Sequence, residues 1–241
     1  VLIFMCKTIS INPDLTWVGA LDPNLRIFDI IMETKFGTTY NSYVLKGTDG
    51  VAIFETVKEK FFDEHLEKIK SVVKPEDITY IVVNHTEPDH AGSVGKLLEF
   101  AAPEFQDDEE VVKTALTQDG EAMEFVSKRL RNNKELVLLA INGAPWTACY
   151  ASEALKADKE VIMESVKTYG QTLYYASERL RDDKEVVKTA IENKGLIIKY
   201  ASLRLRSDKE LAEIAIKQDK RAYLFLSKEL KQDEDIKKLI S

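Results

Sequence analysis

Histidine is scarce in this chain: His65, His85 and His90 are the three it has in 241 residues. Cysteine is scarcer, with Cys6 and Cys149 alone. Two thiols cannot build a secreted disulfide framework, which favours a reducing, cytoplasmic compartment. Long apolar runs are missing too. The longest early stretch, Val1 to Met5, is too short for a signal-peptide core or a membrane span. Nor is there an excess of bases, since 41 acids stand against 34 bases for a net charge of −7. That balance gives no electrostatic reason to expect nucleic acid or an anionic membrane as a partner. With 44% hydrophobic and 31% charged residues, collagen-like, mucin-like and wholly disordered classes are excluded.

The helix breakers that are present lie mostly early. Six of the ten glycines and four of the six prolines precede residue 100, while 24 of the 34 bases and 26 of the 41 acids follow it. The shift marks a boundary near Pro103, with one domain over 1–103 and another over 104–241.

The second part repeats every 25 residues without an insertion. Asp or Asn stands at Asp108, Asn133, Asp158, Asp183, Asp208 and Asp233, and an acid follows two places later each time. Serine returns at Ser127, Ser152, Ser177, Ser202 and Ser227, leucine at Leu130, Leu155, Leu180, Leu205 and Leu230, and an aromatic at Phe125, Tyr150, Tyr175, Tyr200 and Phe225. Such a pattern is a tandem array. Each unit reads as two short helices. The Asp or Asn caps the first, Gly120, Pro145, Gly170 or Gly195 breaks it, and a second helix carries residues such as Met123, Val126 and Leu130. One pair of helices of about ten residues cannot bury its own apolar face, so an α-solenoid is expected, with the half-unit ending at Ser241 as a cap. The aromatic column is expected to pack between helices, and the basic column from Arg131 to Lys231 to sit beside the next unit's acids. Trp146 and Cys149 depart from the consensus, and no role is assigned to them. The units, typified by DDKEVVKTAIENKGLIIKYASLRLR (Asp182 to Arg206), resemble a family of short helical repeats known only as a domain of unknown function.

The first part reads as strands over Thr16 to Ala20, Ser42 to Gly47 and Val51 to Val57. A helix from about Phe61 to Val72 follows, then a buried strand from Ile78 to Asn84. That strand feeds HTEPDHAGS, His85 to Ser93, ahead of a helix from about Val94. Four ligand-type side chains, His85, Glu87, Asp89 and His90, thus fall within six residues at a strand end. Imidazole and carboxylate together suit iron, manganese or zinc.

This HxExDH run, with WVGALDPNLRIFDI (Trp17 to Ile30) and GTTYNSYVLKG (Gly37 to Gly47), resembles the N-terminal part of a flavodiiron protein. The resemblance implies a metallo-β-lactamase fold and a two-iron centre that reduces oxygen or nitric oxide with electrons from FMN. By motif, His85 and Glu87 belong to one iron, Asp89 and His90 to the other. The resemblance covers about 8–103 and then stops. The family's later ligands would lie where the repeats now stand, and no histidine follows His90. His65 is expected on the surface of its helix. Weak binding of a single iron, or none, follows from the donor count, and FMN is not expected because the repeats show no phosphate-binding loop.

The fold class expected is therefore α+β: a partial metallo-β-lactamase-like half-domain, then a helical array. Half of such a fold leaves an apolar face that the repeats, a second copy or a partner must cover. The segment Gly95 to Gln106 matches Gly120 to Arg131 in register, so it can double as the first half-unit, with Pro103 distorting it. Three readings stay open. One is a metal-binding remnant on an interaction scaffold, with a protein partner or self-association. Another is an oxidoreductase or metallohydrolase completed by another chain, and the last is a non-biological fusion. No catalytic residue is assigned.

Overall fold

The computed structural model describes residues 7–28, 32–84, 87–100 and 102–240. They form two compact units, Val1–Ser127 and Lys128–Ser241. The first unit therefore takes in the opening of the array.

The first unit is built on a five-stranded sheet ordered β1-β2-β7-β8-β9. Its strands are β1 (Ile9–Ser10), β2 (Leu15–Trp17), β7 (Tyr43–Lys46), β8 (Val51–Phe54) and β9 (Ile78–Val82). The pairs are antiparallel except β8 with β9, which run parallel. Two small ribbons join β3 (Ala20–Asp22) to β6 (Thr38–Tyr40) and β4 (Ile27–Phe28) to β5 (Met32–Glu33). Parallel neighbours need a crossover, and α1 (Phe62–Val72) supplies it. Its Phe62, Leu66 and Ile69 recur at helical spacing and bury against Val44 and Ile53 of the sheet. Pro75 follows, where the chain has already left the helix.

The expected buried strand 78–84 is instead an edge strand that stops at Val82, with Tyr80 56% exposed. Its apolar sequence resembles a central strand, but the sheet ends on it. Beyond the motif loop come three short helices, α2 (Pro88–Ala91), α3 (Val94–Leu97) and α4 (Pro103–Gln106). The expected helix from Val94 therefore breaks, and Pro103 starts a new turn, as its fixed φ and missing N–H suit. Helix α5 (Glu109–Gln118) packs back on α3, where Gly95 lies against Ala122 and Asp119.

In the second unit the capping reading holds. Asn133, Asp158 and Asp183 each accept hydrogen bonds from the amides two and three places on, opening α6 (Lys134–Gly143), α8 (Lys159–Val166) and α10 (Lys184–Asn193). Asp208 opens α11 (Lys209–Gln218) the same way, with one such bond. Helix α12 (Glu234–Ile240) ends the series.

The expected second helix is not continuous. A 3-10 turn such as Gly195–Tyr200 is followed by extended backbone at Ala201, with ψ of 158°. The serine column explains the break. Ser152 and Ser177 cap the short helices α7 (Glu153–Lys156) and α9 (Glu178–Arg181) through Oγ, and Ser202 caps a turn in the same way, so the serine itself must be extended, with ψ of 158° at Ser152 and 157° at Ser177.

Gly170 and Gly195 start 3-10 turns where a neighbouring backbone is close, while Lys220 holds the same slot in the last unit. A Cβ on Gly170 would sit 2.5 Å from the Ala190 carbonyl oxygen, and one on Gly195 would sit 2.2 Å from that of Ala215. Pro145 takes the slot in one unit, and there the facing residue is Ser165, whose Oγ donates to the Pro145 carbonyl at 2.7 Å.

The charges between units differ from expectation. Lysines outside the basic column meet the next acids: Lys134 pairs with Asp158 and Glu160, Lys159 with Asp183 and Glu185, Lys184 with Asp208 and Glu210, and Lys209 with Asp233 and Asp235. In the basic column, Lys156 pairs with Glu153 of its own unit. Arg131 lies over the Tyr150 ring, and Arg206 donates to the Phe225 carbonyl. In the aromatic column Tyr200 and Phe225 pack against the core as expected, whereas Tyr175 is 41% exposed.

Candidate functional site

Parallel pairing brings the ends of β8 and β9 side by side, with Phe54 opposite Val82. The segment after β8, Glu55 to Val57, therefore lies against the motif loop after β9 and fastens it. Thr56 donates twice to the His90 carbonyl, from its amide at 2.6 Å and its hydroxyl at 2.7 Å. Ser93 Oγ donates to the Val57 carbonyl at 2.7 Å. Glu55 accepts from the Asn84 amide at 3.0 Å and from its side chain. It does so from a left-handed backbone, φ 58°, a conformation that costs a non-glycine residue about 1 kcal/mol or more.

Of the four motif residues, His85 lies outside the described residues. Glu87 is exposed at the start of α2, where its carbonyl accepts from the amides of His90 and Ala91 at 2.9 Å. Asp89 and His90 turn inward. The two ring nitrogens of His90 each approach a carboxylate: Nδ1 lies 3.1 Å from Glu55 Oε2, and Nε2 lies 3.5 Å from Asp89 Oδ2.

Tyr40 links this cluster to Asp22, since its phenol feels the charges of both Asp22 and Asp89. Asp22, at the end of β3, pairs with Lys60 at 2.6 Å. Burial works to raise the Asp22 pKa, but Lys60 and the amides of Asn24 and Leu25 outweigh it and hold the carboxyl below the usual range. Tyr40 is buried on β6, and its phenol is pushed up to about 12 by burial first and then by the negative charges of Asp22 and Asp89. Sequence reasoning missed Glu55, Asp22 and Tyr40. The usable clue was an acid and a threonine directly after an apolar strand, in FETV.

Tight metal sites use three or four protein ligands per ion, with outer partners orienting them. Among the described residues, no three histidine, cysteine or carboxylate side chains converge on a point that could hold a metal. The geometry is that of carboxylates gathered around one imidazole, with Glu55 Oε2 buried and making no hydrogen bond among the described residues.

His65 corrects the surface expectation. It is fully buried, and its Nδ1 donates to the Val18 carbonyl at 3.0 Å. Burial lowers its pKa to about 4, and the charge of Lys68 adds to that against the hydrogen bond to Val18. The ring turned inward because β2 and β3 meet with the Val18 carbonyl facing α1, which helical periodicity alone does not register.

Comparison with known proteins divides the chain in two. The family described as "Domain of unknown function (DUF4116)" matches residues 93–131, 108–156, 133–181, 158–206 and 183–231, together more than half of the chain. The chain belongs to the DUF4116 family. The first DUF4116 match begins at Ser93, inside the segment that packs under the motif loop.

The N-terminal 40% matches flavodiiron proteins. It is 54% identical over 93 residues to the flavo-diiron protein FprA2 of Clostridium acetobutylicum, covering 39% of this chain and 23% of that protein. It is 46% identical over 98 residues to the type A flavoprotein fprA of Rhodobacter capsulatus, covering 41% and 22%. A nitric oxide reductase of Moorella thermoacetica matches at 41% over 96 residues, covering 39% and 24%. The chain thus spans about a quarter of the length of these relatives. Among solved structures, a rubredoxin oxygen:oxidoreductase of Desulfovibrio gigas aligns at 37% identity with a TM-score of 0.38, covering 39% of this chain and 23% of that one. No helix among the described residues is long and apolar enough to cross a membrane.

Proposed function

We propose that this protein is an interaction scaffold of helical repeats that carries a flavodiiron-like metal-binding remnant and does not turn over oxygen or nitric oxide by itself. The observation that carries the reading is the His90 environment. Both ring nitrogens face carboxylates of the chain, and the described donors do not assemble a three-ligand set. His85, Glu87, Asp89 and His90 then hold at most one iron, weakly, and FMN has no part. Stacked helix pairs forming an α-solenoid present a continuous surface to a protein partner or a second copy, in the cytoplasm, with neither nucleic acid nor membrane involved.

A second reading keeps the enzyme: an oxidoreductase or metallohydrolase whose remaining ligands come from another chain. The 54% identity to a flavodiiron relative over 93 residues favours it. Metal analysis of the purified protein beside His85→Ala and Asp89→Ala separates the two. The scaffold reading expects substoichiometric metal in all three proteins. Stoichiometric metal lost in both variants, with activity restored by an added partner, contradicts it.

A further inference from the structure

A cavity of about 360 Å³ opens in the first unit where α1 meets two successive turns, Gly95 to Phe100 and Gly120 to Phe125. Glu99 and Glu124 occupy one repeat column, and Phe100 and Phe125 another, each pair 25 residues apart. The cavity thus lies between consecutive half-units of the array, with a flavodiiron-like helix as its third wall. Neither part of the chain builds it alone.

Its floor is aromatic, from Phe62, Phe100 and Phe125, and its lining carries five carboxylates against the single base Lys96. Charge complementarity therefore calls for a cation. The rings already show that they accept one: Lys96 Nζ lies 5.8 Å from the Phe62 ring centre and Lys70 Nζ 5.5 Å from that of Phe100. Lys96 is held to the side by Glu59 at 3.1 Å. An ammonium or guanidinium group over an aromatic face, ringed by carboxylates, gains from both contacts at once.

We propose that this cavity docks a basic, extended segment of a partner protein, with one lysine or arginine side chain seated on the aromatic floor. The inference names the partner chemistry of the scaffold reading and rests on it only in taking binding as the protein's work. Metal content at the motif loop has no bearing on its test, so the two fail separately.

The test is fluorescence anisotropy of a labelled arginine–alanine peptide titrated with the full chain. Glu99→Lys with Glu121→Lys is compared against Glu33→Lys with Glu76→Lys, which changes net charge equally away from the cavity. Thermal melts check that all variants fold. The expected result is affinity weakened roughly tenfold or more by the cavity pair, under twofold by the control pair, and weakened also by Phe125→Leu, which removes the π face but keeps an apolar side chain. Equal loss in both pairs would reduce the effect to diffuse net charge and overturn the proposal. Absence of binding overturns it as well. So does displacement of the peptide by Mg²⁺ at constant ionic strength, or self-association of the chain that only the cavity pair abolishes.

Discussion

The Ser127 amide donates to the Gln106 carbonyl at 2.8 Å, the bond that Ser152, Ser177, Ser202 and Ser227 make to Arg131, Lys156, Arg181 and Arg206. Gln106 therefore stands where the array's basic residues stand. The side chains agree: Ser127 Oγ donates to Asp107 as Ser152 Oγ does to Asn132 and Ser202 Oγ to Asp182. Gly95 likewise faces the Ala115 carbonyl as Gly170 and Gly195 face those of Ala190 and Ala215. Residues 93–106 thus serve the flavodiiron-like sheet and the first half-unit together.

Shared use of this segment predicts where the chain can be cut. A fragment ending at Ser127 keeps α5 and the following turn over α3, so it should melt cooperatively. One ending at Ala102 exposes the buried side of Val94 and Leu97 and should be unfolded or aggregated. Circular dichroism melts of the two fragments check this. Equal melting temperatures would show that the opening of the array contributes nothing to the sheet.

The glycine slots predict a graded series. In Gly195→Ala the new Cβ meets the Ala215 carbonyl oxygen at 2.2 Å and the Gln218 Cβ at 2.8 Å, and backbone must shift. A loss of about 2–3 kcal/mol is expected, as for an overpacked core. In Gly95→Ala the nearest atoms are 3.3 Å away, the side chains of Ala122 and Asp119, so the change should stay within about 1 kcal/mol. Urea unfolding gives both values, and the order of the two is the decisive result.

The slots, caps and period were all legible in the sequence, because a tandem array repeats each local rule until it stands out. What escaped was whatever depends on contact between distant segments. The serine column looked like the middle of a helix, since its capping role appears only once the serine itself is seen to be extended. The lysines at Lys134, Lys159, Lys184 and Lys209 were passed over because their partners lie 24 to 26 residues on. At the candidate site the motif itself was plain. Glu55 and Asp22 were not, because they reach it by strand pairing rather than by sequence spacing.

The lysine rungs make a pH prediction. Lys188 and Lys184 lower the Glu210 pKa to about 2 from an ordinary 4.5. A lowered carboxylate stabilises the fold above its unfolded pKa, and that contribution disappears as pH falls from 4.5 towards 2. The pair is solvent-exposed, so the effect is modest and screened by salt. Wild type should lose slightly more melting temperature than Lys188→Met across that window at low salt, and the difference should close as salt is added. Parallel curves for the two proteins would contradict the assignment.

His65 governs a separate window. Its pKa is about 4 in the fold against 6.5 when unfolded, so the unfolded chain takes up the proton first as pH falls. Stability is therefore full above pH 6.5 and declines down to about 4, by on the order of 3 kcal/mol. In His65→Asn, where the amide can still donate to the Val18 carbonyl, the slope between pH 6.5 and about 5, above the carboxylate window, should flatten. Chemical unfolding at a series of pH values reads it directly, and an unchanged slope would assign the acid sensitivity elsewhere.

We propose that the residues of this chain do not by themselves close a two-iron centre. Ferrous iron added anaerobically to the purified protein, followed by desalting, metal determination and assay of oxygen and nitric oxide consumption with a chemical reductant, tests it most directly. The account predicts less than one iron retained per chain and no turnover above free iron. Two retained irons with magnetic coupling, consuming either gas, would contradict it.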